Sequence, residues 1–163
     1  MNKYLLLTVV SGGVIIIDQL SKYAVQHMMT LHSPIEVIPG FLNLTYMQNP
    51  GAAFGIFGDV AETMRLVILI GITLLAFVIL IYMYLKIKEK DNLVLISVAM
   101  IIGGAIGNLI DRIRFQKVID FLDFYMGRYH WPAFNIADSA ITAGTMILVF
   151  TILFSGRKGI MDF

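Results

Sequence analysis

Four long apolar runs constrain this chain more than any other feature. They cover residues 4–17 with an apolar extension to about 28, 66–84, 93–110 and 136–154. A helix needs about 20 residues to cross the hydrocarbon of a bilayer, and each run reaches that length, the first and last by including an aspartate. The pattern predicts an all-α membrane protein, a four-transmembrane-helix bundle with helices at about 4–28, 65–85, 93–112 and 136–155.

Composition supports lipid as the solvent. Hydrophobic residues make up 58% of the 163 positions and charged residues only 14%, whereas soluble domains carry about 25% charged residues. The absence of cysteine excludes disulfides, thiolate catalysis and Cys-ligated zinc. A formal net charge of +1 argues against a nucleic-acid partner.

The first apolar run imitates a secretory signal peptide because Lys3 precedes it. However, Asp18, Gln19 and Lys22 follow the run in place of a small-x-small cleavage site. We therefore predict a retained first transmembrane helix, so that four crossings leave both termini on one side of the membrane.

The count of basic residues does not by itself give the orientation of the chain in the membrane, but their absence from the long first loop does. Six of them, in residues 1–3, 86–90 and 157–158, fall on the side of the termini, and the other six fall on the opposite side. The count is therefore tied, but residues 23–64 contain no Lys or Arg, as expected of a translocated loop. We predict cytoplasmic termini and extracytoplasmic loops at about 29–64 and 113–135.

Both extracytoplasmic loops carry residue patterns that predict contact with the membrane surface. Residues 41–46 alternate apolar and polar side chains, which predicts a strand. A turn at Asn49, Pro50 and Gly51 and an apolar stretch at 52–57 follow. Residues 118–126 mix aromatic side chains with Asp120 and Asp123. We expect the first loop to form a small sheet at the membrane surface, the second loop to rest at the interface, and the chain to be a single domain over 1–163.

The predicted topology gathers most of the uncommon polar residues on the outer side. The third helix exits, and the fourth enters, on the face on which the Asn49 loop opens. Ionisable groups at membrane depth are costly and usually functional, so their convergence marks a candidate site. Its members are Asp18, Lys22, Asn49, Asn108, Asp111, Arg112, Asp120, Asn135 and Asp138.

Several of these residues also have purely structural explanations. Asp18 and Lys22 are spaced i, i+4 and would form an ion pair, with Lys22 extending outward to the interface. The glycines at 103–107 form a small-xxx-small pattern that favours close helix packing. Asn108 could either bridge helices or donate to a substrate.

The residues at the helix ends have structural explanations too. Asp111 and Arg112 are predicted to end the third helix, where Arg112 could anchor the interface or donate to carbonyls and carboxylates. Asn135 could cap the fourth helix, with Asp138 at its third position in an arrangement close to a capping box.

Elimination leaves carboxylates as the groups able to catalyse a reaction. The histidines, His27, His32 and His130, are scattered, and neither G-x-S-x-G nor H-E-x-x-H occurs. We predict no metal and no cofactor. Two acids held close together cannot both ionise, so one can activate water while the other donates to an oxyanion. Asp120 and Asp138 suit these roles, with Asp123 as a competitor of Asp120.

Five stretches together resemble lipoprotein signal peptidase, or signal peptidase II. They are Asp18-Gln-Leu-Ser-Lys22, Asn49-Pro-Gly-Ala-Ala-Phe-Gly55, the segment from Gly103 to Arg112, Val118-Ile-Asp-Phe121 and Phe134-Asn-Ile-Ala-Asp138. The resemblance covers nearly the whole chain. It implies a bacterial plasma-membrane aspartic endopeptidase with an extracytoplasmic β-cradle. Its substrate would be a diacylglyceryl-modified prolipoprotein, cut immediately before the lipidated cysteine, and globomycin-type inhibitors would be expected to bind.

The resemblance also assigns roles to individual positions. Asp120 and Asp138 match the catalytic pair, and Asp123 is not part of the family pattern. The residues that match the substrate pocket are Asn49, Asn108, Arg112 and Asn135. The supporting residues are Asp18, Lys22 and Asp111.

Two other functional classes remain as alternatives. Intramembrane acids also mark ion pathways, which would suit a small proton-coupled transporter. Transport sites lie near the midplane, however, and the inner halves of the second, third and fourth predicted helices contain no charged residue. In a scaffold protein the acids would only cap and pair, so that Asn substitutions would lower stability alone.

Overall fold

The computed structural model describes residues 2–51 and 61–154. It contains four helices: α1 (Lys3–Met28), α2 (Glu62–Lys86), α3 (Asn92–Phe115) and α4 (Ile136–Phe154). Each is long and apolar enough to cross a membrane, which confirms that prediction. The predicted apolar stretch at 52–57, the end of the fourth helix at 155 and the basic tail at 157–158 lie outside the described residues.

The third helix is longer than predicted. Asp111 and Arg112 do not end it, because α3 continues to Phe115 and stops where Gln116 adopts a left-handed conformation with φ of 60°. The backbone N–H of Gln116 closes the last turn on the carbonyl of Arg112 at 3.0 Å. The side chains at 113–116 are exposed, so the helix extends past its apolar run without burying polar groups.

Helix α3 lies at the centre and contacts each of the other helices. Its glycines allow these close approaches, as the small-xxx-small pattern predicts. A Cβ on Gly103 would lie 2.9 Å from the carbonyl oxygen of Ser11 in α1, and one on Gly104 would collide with the carbonyl of Ala137 in α4. The pattern therefore lets both α1 and α4 pack closely against α3, and these two helices also contact each other.

An antiparallel sheet lies at the end of the helices where α3 stops and α4 begins, which we call the sheet end. Its strands, in spatial order, are β1 (Ile35–Ile38), β2 (Leu42–Asn49), β3 (Val118–Met126) and β4 (Tyr129–His130). The strand predicted at 41–46 is therefore confirmed and extends to Asn49. Residues 118–126, for which the sequence predicted no particular conformation, form the partner strand β3. Met47 pairs with Asp120 and Asn49 with Val118.

The helices bury different residue types at their two ends. Away from the sheet, an apolar core contains Leu6, Tyr84, Leu95 and Val98. The hydroxyl of Tyr84 donates to the carbonyl oxygen of Lys3 at 2.6 Å and ties α2 to the start of α1. Towards the sheet end, buried polar side chains replace this core, and they form the candidate site.

Candidate active site

Asp120 is held by two asparagine side chains. It is the third residue of β3 and only 2% exposed. Nδ2 of Asn135 donates to Oδ1 of Asp120 at 2.7 Å, and Nδ2 of Asn49 donates to Oδ2 at 2.9 Å. The strand pairing of β2 with β3 brings Asn49 to this position although the two residues are 71 positions apart. Both oxygens of the carboxyl group therefore have a fixed donor.

Asp138 lies in the first turn of α4, where it completes a capping box. Its backbone N–H donates to Oδ1 of Asn135 at 2.9 Å, and its own Oδ2 accepts from the backbone N–H of Asn135 at 3.3 Å. The capping prediction is thereby confirmed. The other oxygen, Oδ1, accepts from Nδ2 of Asn108 at 2.7 Å. The cap and the contact with α3 fix the side chain without using all of its acceptor capacity.

Asn108 and Asn135 connect the two aspartates. Nδ2 of Asn135 lies 3.2 Å from Oδ1 of Asn108 as well as 2.7 Å from Asp120. Asn108 in turn donates to Asp138. A chain of two amides thus joins one carboxyl to the other across β3, α3 and α4. Asn108 bridges helices, which was one of the two roles open for it.

The pKa of Asp120 is raised to about 7. Burial is the main cause because it disfavours the charged form, and the negative charge of Asp138 acts in the same direction. The hydrogen bonds from Asn49 and Asn135 and the charge of Lys22 oppose the rise. A carboxyl group in this setting holds a proton at neutral pH far more readily than an exposed aspartate.

Lys22 does not extend outward to the interface, so that prediction is wrong. Its side chain is 2% exposed, and Nζ lies 2.9 Å from Oδ2 of Asp18 and 2.8 Å from Oδ2 of Asp111. It also donates to Oδ1 of Asn108 at 3.0 Å. Three oxygen acceptors surround the ammonium group, which accounts for its burial, because an ammonium buried without partners would be very costly.

The two acids beside Lys22 each hold a backbone N–H next to a candidate catalytic residue. Oδ1 of Asp18 accepts from the N–H of Ala137, which precedes Asp138, at 2.9 Å. Oδ2 of Asp111 accepts from the N–H of Ile119, which precedes Asp120, at 3.1 Å. The ion-pair cluster therefore contacts the chain immediately before both aspartates.

Arg112 lies at the edge of this cluster. Its Nη1 is 3.5 Å from the carbonyl oxygen of Asn108, one turn earlier in α3. The charges of Asp138, Asp111 and Asp120 are all close enough to act on the guanidinium group. The fork of donors has few strong partners among the described residues, and so it has capacity for further acceptors.

Asp123 belongs to a different cluster. It accepts from Nδ2 of Asn43 at 3.0 Å and lies 2.9 Å from Nδ1 of His130. The His130 ring stacks on Tyr125 with centroids 5.2 Å apart. None of these groups contacts Asp120 or Asp138 among the described hydrogen bonds, so the structure separates the two acids that competed in the sequence.

One further residue contacts the ion-pair cluster and was not predicted from the sequence. Gln19, in α1, has three acceptors within hydrogen-bond distance of the two N–H groups of Nε2: Asp18, Asp111 and the carbonyl of Gly107. The signal that could have identified it is an amide side chain within an otherwise apolar helix. Within residues 2–51 and 61–154, no three His, Cys, Asp or Glu side chains are arranged to hold a metal ion.

Comparison with known proteins identifies close relatives. A family model described as signal peptidase (SPase) II matches residues 10–154. The lipoprotein signal peptidase of Syntrophus aciditrophicus is 45% identical over 91% of this chain and 93% of its own length. That of Desulforapulum autotrophicum is 43% identical over 91% and 92%, respectively.

A solved structure agrees with these sequence matches. It is that of a bacterial membrane enzyme determined by the in meso method at 1.9 Å resolution, and it matches with a TM-score of 0.81 and 32% identity. The match covers 91% of this chain and 92% of the other. Together with the four apolar helices, these similarities make the chain a multi-pass membrane protein, and it belongs to the signal peptidase II family of peptidases.

Proposed function

We propose that this peptidase is an aspartic endopeptidase that cuts diacylglyceryl-modified prolipoproteins immediately before the lipidated cysteine. The observation that carries the aspartic mechanism is the chain of Asn135 and Asn108, which joins the carboxyls of Asp120 and Asp138 in a buried setting. Membership of the signal peptidase II family supports the proposal of a lipidated substrate.

Asp120 is the acid that holds the proton in this mechanism, because its pKa is raised to about 7. Asp138 is the base. Water attacks the scissile carbonyl carbon, its proton passes to Asp138, and Asp120 donates to the developing oxyanion. When the C–N bond breaks, Asp138 returns its proton to the leaving amine of the cysteine, and Asp120 recovers its own from the oxygen. Atoms and charges balance, and no cofactor takes part.

The surrounding polar residues bind and support. Asn49, Asn108, Arg112 and Asn135 line the substrate pocket in this proposal, and Arg112 contributes donors to substrate carbonyls. The ion-pair cluster of Asp18, Lys22 and Asp111 supports the catalytic pair indirectly, through hydrogen bonds to the backbone N–H groups of Ala137 and Ile119. Globomycin-type inhibitors are expected to occupy the same pocket.

The proposed enzyme sits in a bacterial plasma membrane as a single domain over 1–163. Its four helices form a bundle, its sheet is an extracytoplasmic cradle at the outer leaflet, and its termini are cytoplasmic. A substrate anchored by lipid and by its apolar signal helix diffuses in the plane of the membrane. A site at the sheet end lies at the same depth in the membrane as the scissile bond, and the substrate can enter it laterally from the bilayer.

Cleavage of matched peptides tests the activity and the mechanism together. The purified enzyme in detergent should cut a peptide with diacylglycerol on its cysteine and leave the same peptide without lipid largely intact. Asp120→Asn and Asp138→Asn should each abolish cleavage while remaining folded. Asp123→Asn is the matched control on the same strand and should keep activity. Substantial cleavage by either of the first two variants would exclude this pair.

Orientation needs a separate measurement. Reporters that are active only outside or only inside the cell can be fused at position 40, in the first loop, and at position 89, between α2 and α3. The proposal requires the first reporter to be extracytoplasmic and the second cytoplasmic. The opposite result would put the site on the wrong face for a translocated prolipoprotein.

The transporter and scaffold alternatives make different predictions for the same variants. The described polar network lies at the sheet end, and an apolar core fills the other end of the helices. A proton pathway across the membrane would need polar groups in that second half as well, so this arrangement disfavours transport. Proton flux into liposomes that disappears in Asp138→Asn would favour transport. A loss of stability without loss of cleavage would favour a scaffold role for the acids.

A further inference from the structure

Gln19 occupies a junction that the sequence did not suggest. Its side chain is half-buried in α1 and faces α3. Nε2 lies 3.0 Å from Oδ1 of Asp111, 3.2 Å from Oδ2 of Asp18 and 3.2 Å from the carbonyl oxygen of Gly107. One amide nitrogen therefore touches both acids of the Lys22 ion-pair cluster.

The hydrogen bond from Gln19 to Asp111 differs from the other two because its acceptor oxygen has no alternative donor among the described contacts. Oδ2 of Asp111 accepts from Lys22 and from the backbone N–H of Ile119. Oδ1 of Asp111 accepts from Gln19, and the described hydrogen bonds and ion pairs give this oxygen no second donor. Oδ2 of Asp18, in contrast, keeps its ion pair with Lys22 if Gln19 is removed.

These contacts form two parallel paths to the reacting groups. Through Asp111, Gln19 reaches Ile119 and hence the start of β3, where Asp120 follows. Through Asp18, it reaches Ala137 and hence the first turn of α4, where Asp138 follows. A side chain that fixes both acids also fixes the separation of the strand and the helix that carry the two carboxyls.

We propose that Gln19 is a positioning residue for the cleavage reaction, which sets the relative placement of Asp120 and Asp138 through Asp111 and Asp18. The inference rests on the proposed function of that pair. Gln19 does not touch the two carboxyls itself. Its removal changes the geometry of the reacting groups more than the binding of substrate, since small misplacements at a reacting centre are costly in rate.

Gln19→Leu removes the donors and keeps a side chain of similar size. We expect kcat for the lipidated peptide to fall roughly 10-fold while KM changes by less than about twofold. Gln26→Leu is the matched control, because it makes the same change on α1 at a position with no hydrogen-bond partner among the described side-chain contacts. Activity must be normalised to the folded fraction, measured by thermal unfolding in detergent.

Gln19→Glu adds a second measurement, the pH dependence of kcat, which would not change if Gln19 had only a structural role. When deprotonated, the introduced carboxyl would be a third negative charge beside Asp18 and Asp111. Lys22 is already paired with both of these acids, and the guanidinium of Arg112 also interacts with the charge of Asp111. When protonated, the same group can again donate to Oδ1 of Asp111. The ratio of the variant's kcat to that of the wild type should therefore rise as the pH falls from about 8 to about 5. Gln19→Leu should show no such recovery.

The outcomes separate this inference from the proposed function. If Asp120→Asn is inactive but Gln19→Leu keeps wild-type kcat, only the role of Gln19 is overturned. An active Asp120→Asn variant would reject the proposed pair itself. A loss in Gln19→Leu fully explained by a smaller folded fraction would also overturn the positioning role. So would failure of both Gln19 variants to fold.

Discussion

Asn135 and Asp138 exchange two hydrogen bonds across the first turn of α4. The N–H of Asp138 donates to Oδ1 of Asn135 at 2.9 Å, and the N–H of Asn135 donates to Oδ2 of Asp138 at 3.3 Å. The cap uses only the oxygen of the Asn135 amide, so Nδ2 remains available for Asp120. One side chain therefore both starts the helix and takes part in the amide chain between the two acids.

Substitutions at Asn135 can separate these two tasks. Serine retains an oxygen suitable for an N-cap but lacks the donor to Asp120, and alanine lacks both. Asn135→Ser should therefore be more stable than Asn135→Ala by about 1 kcal/mol, while both lose cleavage to a similar extent, roughly 100-fold. Unfolding in detergent and peptide cleavage measure the two quantities. Wild-type cleavage by Asn135→Ser would show that the link to Asp120 is dispensable.

The raised pKa of Asp120 predicts the shape of the pH profile. At a pH below the pKa of about 7, the side chain of Asp120 is neutral and can donate to the oxyanion. At a higher pH its carboxyl group is charged and cannot donate. The value of kcat/KM should therefore decline as the pH rises through about 7. An enzyme whose activity kept rising well above this pH would need a different acid.

Asn49→Ala tests which group sets that decline. The hydrogen bond from Asn49 favours the charged form of Asp120 and lowers its pKa. Its removal should raise the pKa further and move the decline in kcat/KM to higher pH, even if the maximal rate falls. Asp123→Asn is the control and should leave the position of the decline unchanged. A shift of the Asn49→Ala profile to lower pH would contradict the assignment.

The sequence predicted the helices well because membrane crossing imposes a length and a composition that a single run of residues must satisfy. It placed Lys22 wrongly for the opposite reason. A lysine at the end of an apolar run ordinarily extends towards water, and its local partner Asp18 was visible at i, i+4. The second partner, Asp111, is distant in the chain, and only the packing of α1 on α3 brings it to 2.8 Å.

Strand β3 escaped prediction for a related reason. A strand with one face in water alternates polar and apolar residues, but Val118, Ile119, Asp120 and Phe121 are all buried. The aspartate is buried because Asn49 and Asn135 satisfy it. Both donors come from other elements, so neither the strand nor the burial of its acid could be inferred from the local pattern.

Breaking the buried ion-pair cluster around Lys22 should destabilise the sheet end. Lys22, Asp18 and Asp111 are each at most 2% exposed. Lys22→Met leaves two buried carboxylates without their cation and should lower the free energy of unfolding by about 3–5 kcal/mol. Adding Asp111→Asn should restore part of the loss because one uncompensated charge is removed. Lys90→Met, at an exposed position, is the control, and a loss of equal size there would contradict the argument.

Gly107 tests how tightly the cluster fits between α1 and α3. A Cβ at this position would lie 2.6 Å from Oδ2 of Asp18 and 3.3 Å from the Cβ of Ala137. The carboxyl of Asp18 has little room to move, because Lys22 holds one oxygen and the N–H of Ala137 holds the other. Gly107→Ala should therefore lower both the stability and the cleavage rate.

Gly12→Ala is the matched control for Gly107→Ala, since it makes the same substitution in a helix where a Cβ would meet nothing within 4 Å. Alanine is favoured over glycine in a helix interior by up to about 1 kcal/mol, so Gly12→Ala should unfold at the same or a higher temperature and cleave at the wild-type rate. If the two variants behaved alike in thermal unfolding and peptide cleavage, the close approach of α3 to Asp18 would not matter for the site. A loss confined to Gly107→Ala instead ties helix packing to the placement of Asp138, because the carboxyl that the new methyl group displaces is the one that holds the backbone of Ala137.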